Sequence, residues 1–135
     1  MLGRTLLAAA LVATALTAPA ALPDADAAAL SRVTLTNGDD GRTISVHTGD
    51  EITVRLKGIV GDGEMWRWSV PKSSAPAVLR QIAGGTSPNG DSQAVFRVSG
   101  VGTSDITAQK ACQVTRPGHM CPHIVTRWKV TVGTH

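Results

Sequence analysis

The feature that most constrains this chain is a strict two-residue alternation. In "RTISVHTGDEITVRLKG" (42–58), Ile44 and Val46 face one way and Ser45 and His47 the other. After the turn "TGDE", Ile52, Val54 and Leu56 alternate with Glu51, Thr53, Arg55 and Lys57. A period of two marks a strand with one dry and one wet face, whereas a helix would repeat every 3.6 residues. The habit recurs in "RVTLT" (32–36), "MWRWSV" (65–70), "AVFRVSG" (94–100), "VGTSDITAQKA" (101–111) and "HIVTRWKVTV" (123–132), with glycine-bearing turns between them. "PAVLRQI" (76–82) suits either a short strand or one helical turn. About seven or eight short strands without an amphipathic helix predict an all-β, immunoglobulin-like sandwich. All three tryptophans read as core, with Trp66 and Trp68 on the same side of one strand.

The N-terminus sets the compartment. Arg4 precedes "LLAAALVATAL" (6–16), an uncharged run too short to anchor in a bilayer but of the length of a signal-peptide core. Small residues in cleavage order follow at "APA" (18–20) and "ADA" (25–27). The expected organisation is a signal peptide over 1–27 and one secreted domain over 28–135. Removing Arg4, Asp24 and Asp26 leaves twelve basic and eight acidic residues, scattered along the chain. No basic run tracks phosphates and aromatics are too few for base stacking, so nucleic acid is not an expected partner.

Two cysteines in an exported chain normally pair. Cys112 and Cys121 would close a small loop around "QVTRPGHM", contributing roughly 2–3 kcal/mol in the chain-entropy model. A zinc site is the competing reading, because His119, Cys121 and His123 alternate. Zinc thiolates compete with oxidation outside the cell, Pro122 interrupts the alternation, and Cys-x6-His-x-Cys-x-His matches no familiar zinc spacing. A disulfide is expected, with no metal and no cofactor.

Catalysis finds little support. Most carboxylates fall in turns, where they serve the backbone, and no nucleophile-elbow pattern surrounds a serine. "AGGTSPNGD" lacks the Lys-Ser/Thr and the helix of a phosphate loop. The chain is therefore not expected to be an enzyme, and binding remains. Three loops are longer or richer in glycine than a hairpin needs: "GIVGDGE" (58–64), "AGGTSPNGD" (83–91) and "CQVTRPGHMC" (112–121). In an immunoglobulin-like strand order all three emerge at one end, the third stiffened by its disulfide with Arg116 and Pro117 at its tip.

These motifs resemble the chagasin-type inhibitors of papain-like cysteine proteases, immunoglobulin-like sandwiches that wedge three same-end loops into the protease cleft. Where the family's first loop reads Asn-Pro-Thr-Thr-Gly before a Trp-bearing strand, this chain keeps Gly63 and Trp66 but has Ile59, Val60, Gly61 and Asp62. The second, Gly-x-Gly-Gly-Thr, leaves Gly84, Gly85 and Thr86, with Phe96 following. The third, Arg-Pro-Trp, leaves Arg116 and Pro117, with Gly118 in place of Trp. The resemblance implies a monomeric, secreted inhibitor that occludes the cleft of a papain-like protease. Its contact residues would be Gly61, Asp62, Gly63, Glu64, Trp66, Gly84, Gly85, Thr86, Arg116, Pro117 and Gly118. The departures bear on inhibition more than on fold. The alternative is an adhesion module of the cell envelope, since "VSGVGTSDITAQ" (98–109) also resembles the penultimate strand of bacterial immunoglobulin-like repeats.

Overall fold

The computed structural model describes Gly3 and residues 30–135. The expected signal peptide lies outside the described residues. The alternating segments form ten strands: β1 (Arg32–Leu35), β2 (Thr43–Val46), β3 (Glu51–Leu56), β4 (Ile59–Val60), β5 (Glu64–Trp68), β6 (Lys72–Ser73), β7 (Leu79–Thr86), β8 (Ser92–Val98), β9 (Gly102–Val114) and β10 (Val125–Thr134). One sheet runs β1-β3-β8-β7 and the other β2-β10-β9-β5-β4, with β6 continuing the line of β5 along β9. This is the expected sandwich. Two short strands were not anticipated as such. β4 lies inside the first glycine loop, and β6 restarts the β5 line. "PAVLRQI" satisfies both of its readings. Val78 and Leu79 donate N–H groups to the Ala75 carbonyl in one helical turn, and β7 begins at Leu79.

The core is what the alternation dictates. Ile52, Val54 and Leu56 of β3 meet Ala94, Phe96 and Val98 of β8 on one side. Ile106 and Ala108 of β9 and Trp128, Val130 and Val132 of β10 face them from the other. Trp68 and Trp128 are buried and each satisfies its indole N–H, Trp68 to the Lys57 carbonyl at 2.9 Å and Trp128 to the Thr36 carbonyl at 3.0 Å. Trp66 departs from expectation. It shares the side of Trp68 but lies towards the loop end, where it is only half-buried with the Lys110 ammonium 6.0 Å from its ring.

The N-terminal segment changes sheets. β1 pairs in parallel with β3, and β2 in parallel with β10. The crossing is made by a 3-10 turn at Asn37–Asp39. Asp39 holds that turn, its carboxylate accepting the Thr36 N–H at 2.7 Å and pairing with Arg42. The Thr36 hydrogen bond first, and Arg42 second, keep the Asp39 carboxyl below the usual aspartate range. A carboxyl depressed in the folded state adds stability above its unfolded pKa, and that stability is lost as pH falls through the folded value. Asp39→Asn should therefore lower Tm at neutral pH, with the difference from the parent closing as the pH falls below the aspartate range. Thermal melts across that window check it.

Candidate functional site

The three expected loops do meet at one end of the sandwich, but the structure redraws their limits. In the first, Ile59 and Val60 pair with Trp66 and Met65, so the turn proper is Gly61–Glu64. In the second, Gly84, Gly85 and Thr86 are not loop residues. They lie in β7, opposite Ala94, Gln93 and Ser92 of β8, after a bulge between Gln81 and Ala83. This glycine-rich stretch pairs with β8 on one side as the outer strand of its sheet, and the turn that remains is Ser87–Asp91. In the third, β9 runs on to Val114, and the loop is 115–124.

That third loop turns at Arg116–His119, where the His119 N–H returns to the Arg116 carbonyl at 3.2 Å. Proline at the second position presets φ, and Gly118 at the third has φ +80°, the conformation of a type II turn. Glycine at 118 is thus a requirement of this turn. The Cys112–Cys121 disulfide closes the loop at its base, as expected.

The junctions between the turns explain their common edge. Gly58 donates its N–H to Asp91 Oδ1 at 2.8 Å, and Gly90 accepts the Trp68 N–H at 3.0 Å. A Cβ on Gly58 would stand 2.5 Å from the Trp66 carbonyl oxygen and 2.6 Å from the Gly90 carbonyl carbon. A Cβ on Gly90 would stand 2.6 Å from that same Trp66 oxygen, and Gly90 has φ +91°. These two glycines let the second turn seat on the root of the first. On the other flank, the Thr115 N–H reaches the Gly63 carbonyl at 2.9 Å, and Gly63 packs beneath the His119 ring. Arg116 is paired with Asp62 and is not the free cationic point its tip position suggests. Both partners are exposed, so the pair is worth at most about 1 kcal/mol. His119 is held by Glu64 at 3.3 Å.

Gly58, Gly90 and Asp91 lie within the expected loops 58–64 and 83–91, but a glycine-rich stretch does not by itself show that they seat one turn on another. "SPNGD" (87–91) carried a signal, because an Asn-Gly-Asp turn places a short carboxylate on a fixed backbone. The other omission is the apolar rim. Ile59, Val60, Val114, Met120, Ile124 and Val125 are exposed large hydrophobics on the first and third hairpins, Met120 at 86%. Inside the third hairpin, Val114, Met120, Pro122, Ile124 and Val125 line a hollow of about 450 Å³. Met120 lies in a disulfide-closed loop with no core to enter, and that position was a readable sign.

Strand order and the switching N-terminal segment define an immunoglobulin-like sandwich with three turns seated on one another at one end. No protein-family model matches the chain, and no curated protein matches it. Solved structures do. The cysteine protease inhibitor EhICP2 from Entamoeba histolytica is 15% identical, with a TM-score of 0.54 over 79% of this chain and 98% of that one. Amebosin matches at 16% identity and a TM-score of 0.47, over 78% of this chain and 98% of its own. PbICP-C, solved in complex with falcipain-2, matches at 13% and 0.47, over 78% and 91%. The match to EhICP2 shows a shared fold.

Proposed function

We propose that the protein is a secreted inhibitor of papain-like cysteine proteases, acting as a monomer by filling the active-site cleft with its three-turn edge. The observation that carries this reading is the seating of all three turns on one end of a sandwich whose fold EhICP2 shares. Such an edge is built to bind without reorganising. Its first turn is a paired hairpin, its second is bolted to Gly58, and its third is closed by a disulfide, so little conformational entropy remains to be lost on contact. Ile59, Val60 and Met120 supply apolar area for a partner to cover. The Arg116–Asp62 pair, flanked by Pro117 and Gly63, forms its polar part. Inhibition would be steric, with no bond made to the protease. Export through cleavage of the leader near residue 27 belongs to the same reading.

The test is titration of the purified, oxidised protein against papain and a cathepsin-like enzyme, beside an Arg116→Ala, Pro117→Ala double variant. Tight inhibition is expected, weakened about tenfold or more in the variant through loss of the turn and of the Asp62 pair. Absence of inhibition at micromolar protein would defeat the proposal. Binding to purified cell wall in its place would favour the adhesion reading.

A further inference from the structure

The sequence scatters its basic residues, and the fold gathers five of them on one surface. In the β1-β3-β8-β7 sheet the apolar residues point into the core, so their alternate neighbours point out. These strands carry Arg32, Arg55, Arg80 and Arg97, all exposed, and the exposed Lys57 follows β3. The one acid on the same strands is Glu51. Register sets four of these charges in a row, with Arg32 opposite Glu51, Glu51 opposite Arg97, and Arg97 opposite Arg80. With neighbouring strands about 4.8 Å apart, the row spans about 14 Å across the sheet. Arg97 against Arg80 is a like-charged cross-strand pair, which works against the sheet. Among the described residues, neither the five cations nor Glu51 forms an ion pair. Their charge is left for a partner.

The other end of this face is concave. Arg55 lies four residues along β3 from Glu51, about 13 Å away. With Lys57, Thr34, Thr36 and Asn37 it lines a hollow of about 520 Å³. Asn37 fixes one wall. Its side-chain amide donates to the Lys57 carbonyl at 3.0 Å, and its Oδ1 accepts the Lys57 N–H at 2.8 Å. The root of the lysine is thereby held while its ammonium stays exposed. No acid lines the hollow. Asp91, in the neighbouring turn, is engaged by the Gly58 N–H and the Asn89 amide.

We propose that this face binds a sulfated polysaccharide, with one sulfate seated in the Arg55–Lys57 hollow and others along the row of Arg32, Arg97 and Arg80. Five cations against one acid call for a polyanion. The hollow selects among anions. A sulfate ester presents three terminal oxygens, and two cations with the Thr34 and Thr36 hydroxyls offer it more donors than a carboxylate or a phosphodiester, each with two free oxygens, can use. Between the hollow and the row lie Thr34, Thr53 and Gln93, neutral groups that can exchange hydrogen bonds with sugar hydroxyls. Nucleic acid lacks a counterpart here. Phe96, Trp68 and Trp128 are buried and Trp66 belongs to the other sheet, so bases have nothing to stack on. A lipid surface lacks one too, because Ile82 is the one exposed large hydrophobic on these strands. The outer face of the opposite sheet is not equivalent, since its Lys129 is paired with Asp105 at 3.6 Å.

The experiment uses heparin as the probe. The purified protein is titrated with a size-defined heparin oligosaccharide by calorimetry at several salt concentrations. Polygalacturonate, a single-stranded oligonucleotide and phosphatidylserine vesicles are run in parallel. Heparin should bind, with log affinity falling linearly against log salt. An Arg55→Gln, Arg97→Gln double variant should bind about tenfold or more weakly, with a salt slope shallower by about one to two. A Lys72→Gln, Arg127→Gln variant makes the same change in net charge at exposed positions of the other sheet. It should stay within about twofold of the parent, because a charge contributes where it touches the polymer and is screened beyond about 10 Å. Thermal melts check that the three proteins are equally folded. The proposal is overturned if heparin does not bind at physiological ionic strength, or if the Lys72, Arg127 variant loses as much affinity as the Arg55, Arg97 variant. It is equally overturned if polygalacturonate, the oligonucleotide or the vesicles bind as tightly as heparin.

Discussion

Gly58→Val should separate the first turn from the second and destabilise the domain by about 3 kcal/mol, at the upper end of what overpacking costs. The reason is the nature of the obstacle. The atoms a Cβ would meet at 2.5–2.7 Å are the Trp66 carbonyl oxygen and the carbonyl group of Gly90, all backbone. Backbone cannot swing aside as a long side chain can, so the strand leading to β4 must lift away. That movement breaks the bond from the Gly58 N–H to Asp91 Oδ1. Asp91→Ala is the informative companion. It removes the same hydrogen bond without adding volume and should cost only about 1 kcal/mol. Chemical denaturation of the three proteins measures both effects. Similar stability of Gly58→Val and the parent would mean that the turns are not seated as described. On the inhibitor reading, Gly58→Val should also weaken inhibition more than Asp91→Ala does, because it displaces the first turn as a unit.

The larger loss should come from Trp128→Ala, at about 3–5 kcal/mol. Trp128 is the largest fully buried side chain among the described residues, packed in β10 beside Ala108. Its indole N–H also ties the Thr36 carbonyl at 3.0 Å, just where the N-terminal segment leaves one sheet for the other. The truncation therefore opens a cavity and releases the crossing strand together. For a domain near 100 residues each kcal/mol moves Tm by roughly 4–8 °C, so a fall of about 12 °C or more is expected in a thermal melt. A fall of a few degrees would indicate that the core closes over the gap.

These two expectations differ in how much of them the sequence could supply. Trp128 sits in "HIVTRWKVTV", where alternation with Val130 and Val132 already assigns it to the dry face. The same reading places Trp66 with Trp68, and period alone does not reveal that Trp66 lies past the end of the covered core. Alternation reports which face a side chain takes. How far along a strand the opposite sheet extends is a property of the assembled pair. Glycine was legible in part. Gly118 after proline, and Gly63 in "GDGE", announce turns by local chemistry. Gly84 and Gly85 look like a loop, yet they pair along the β8 edge, since a neighbouring strand satisfies their backbone as well as solvent does. Gly58 gave no sign, because its constraint is Gly90, which the chain reaches only after four more strands have been laid down.

The sequence by itself determined the class of fold, the faces of the main strands, the pairing of Cys112 with Cys121 and the presence of a stiff Arg-Pro-Gly turn. All of these rest on interactions between residues close in the chain, or on a periodicity that any one segment carries alone. Only the tertiary structure decided the rest. It set the N-terminal strand across both sheets, seated Gly90 on Gly58, paired Arg116 with Asp62, and brought Glu64 to the cysteines and His119. Each of those joins segments twenty to sixty residues apart or more, and their meeting depends on how two sheets twist and stack as a whole.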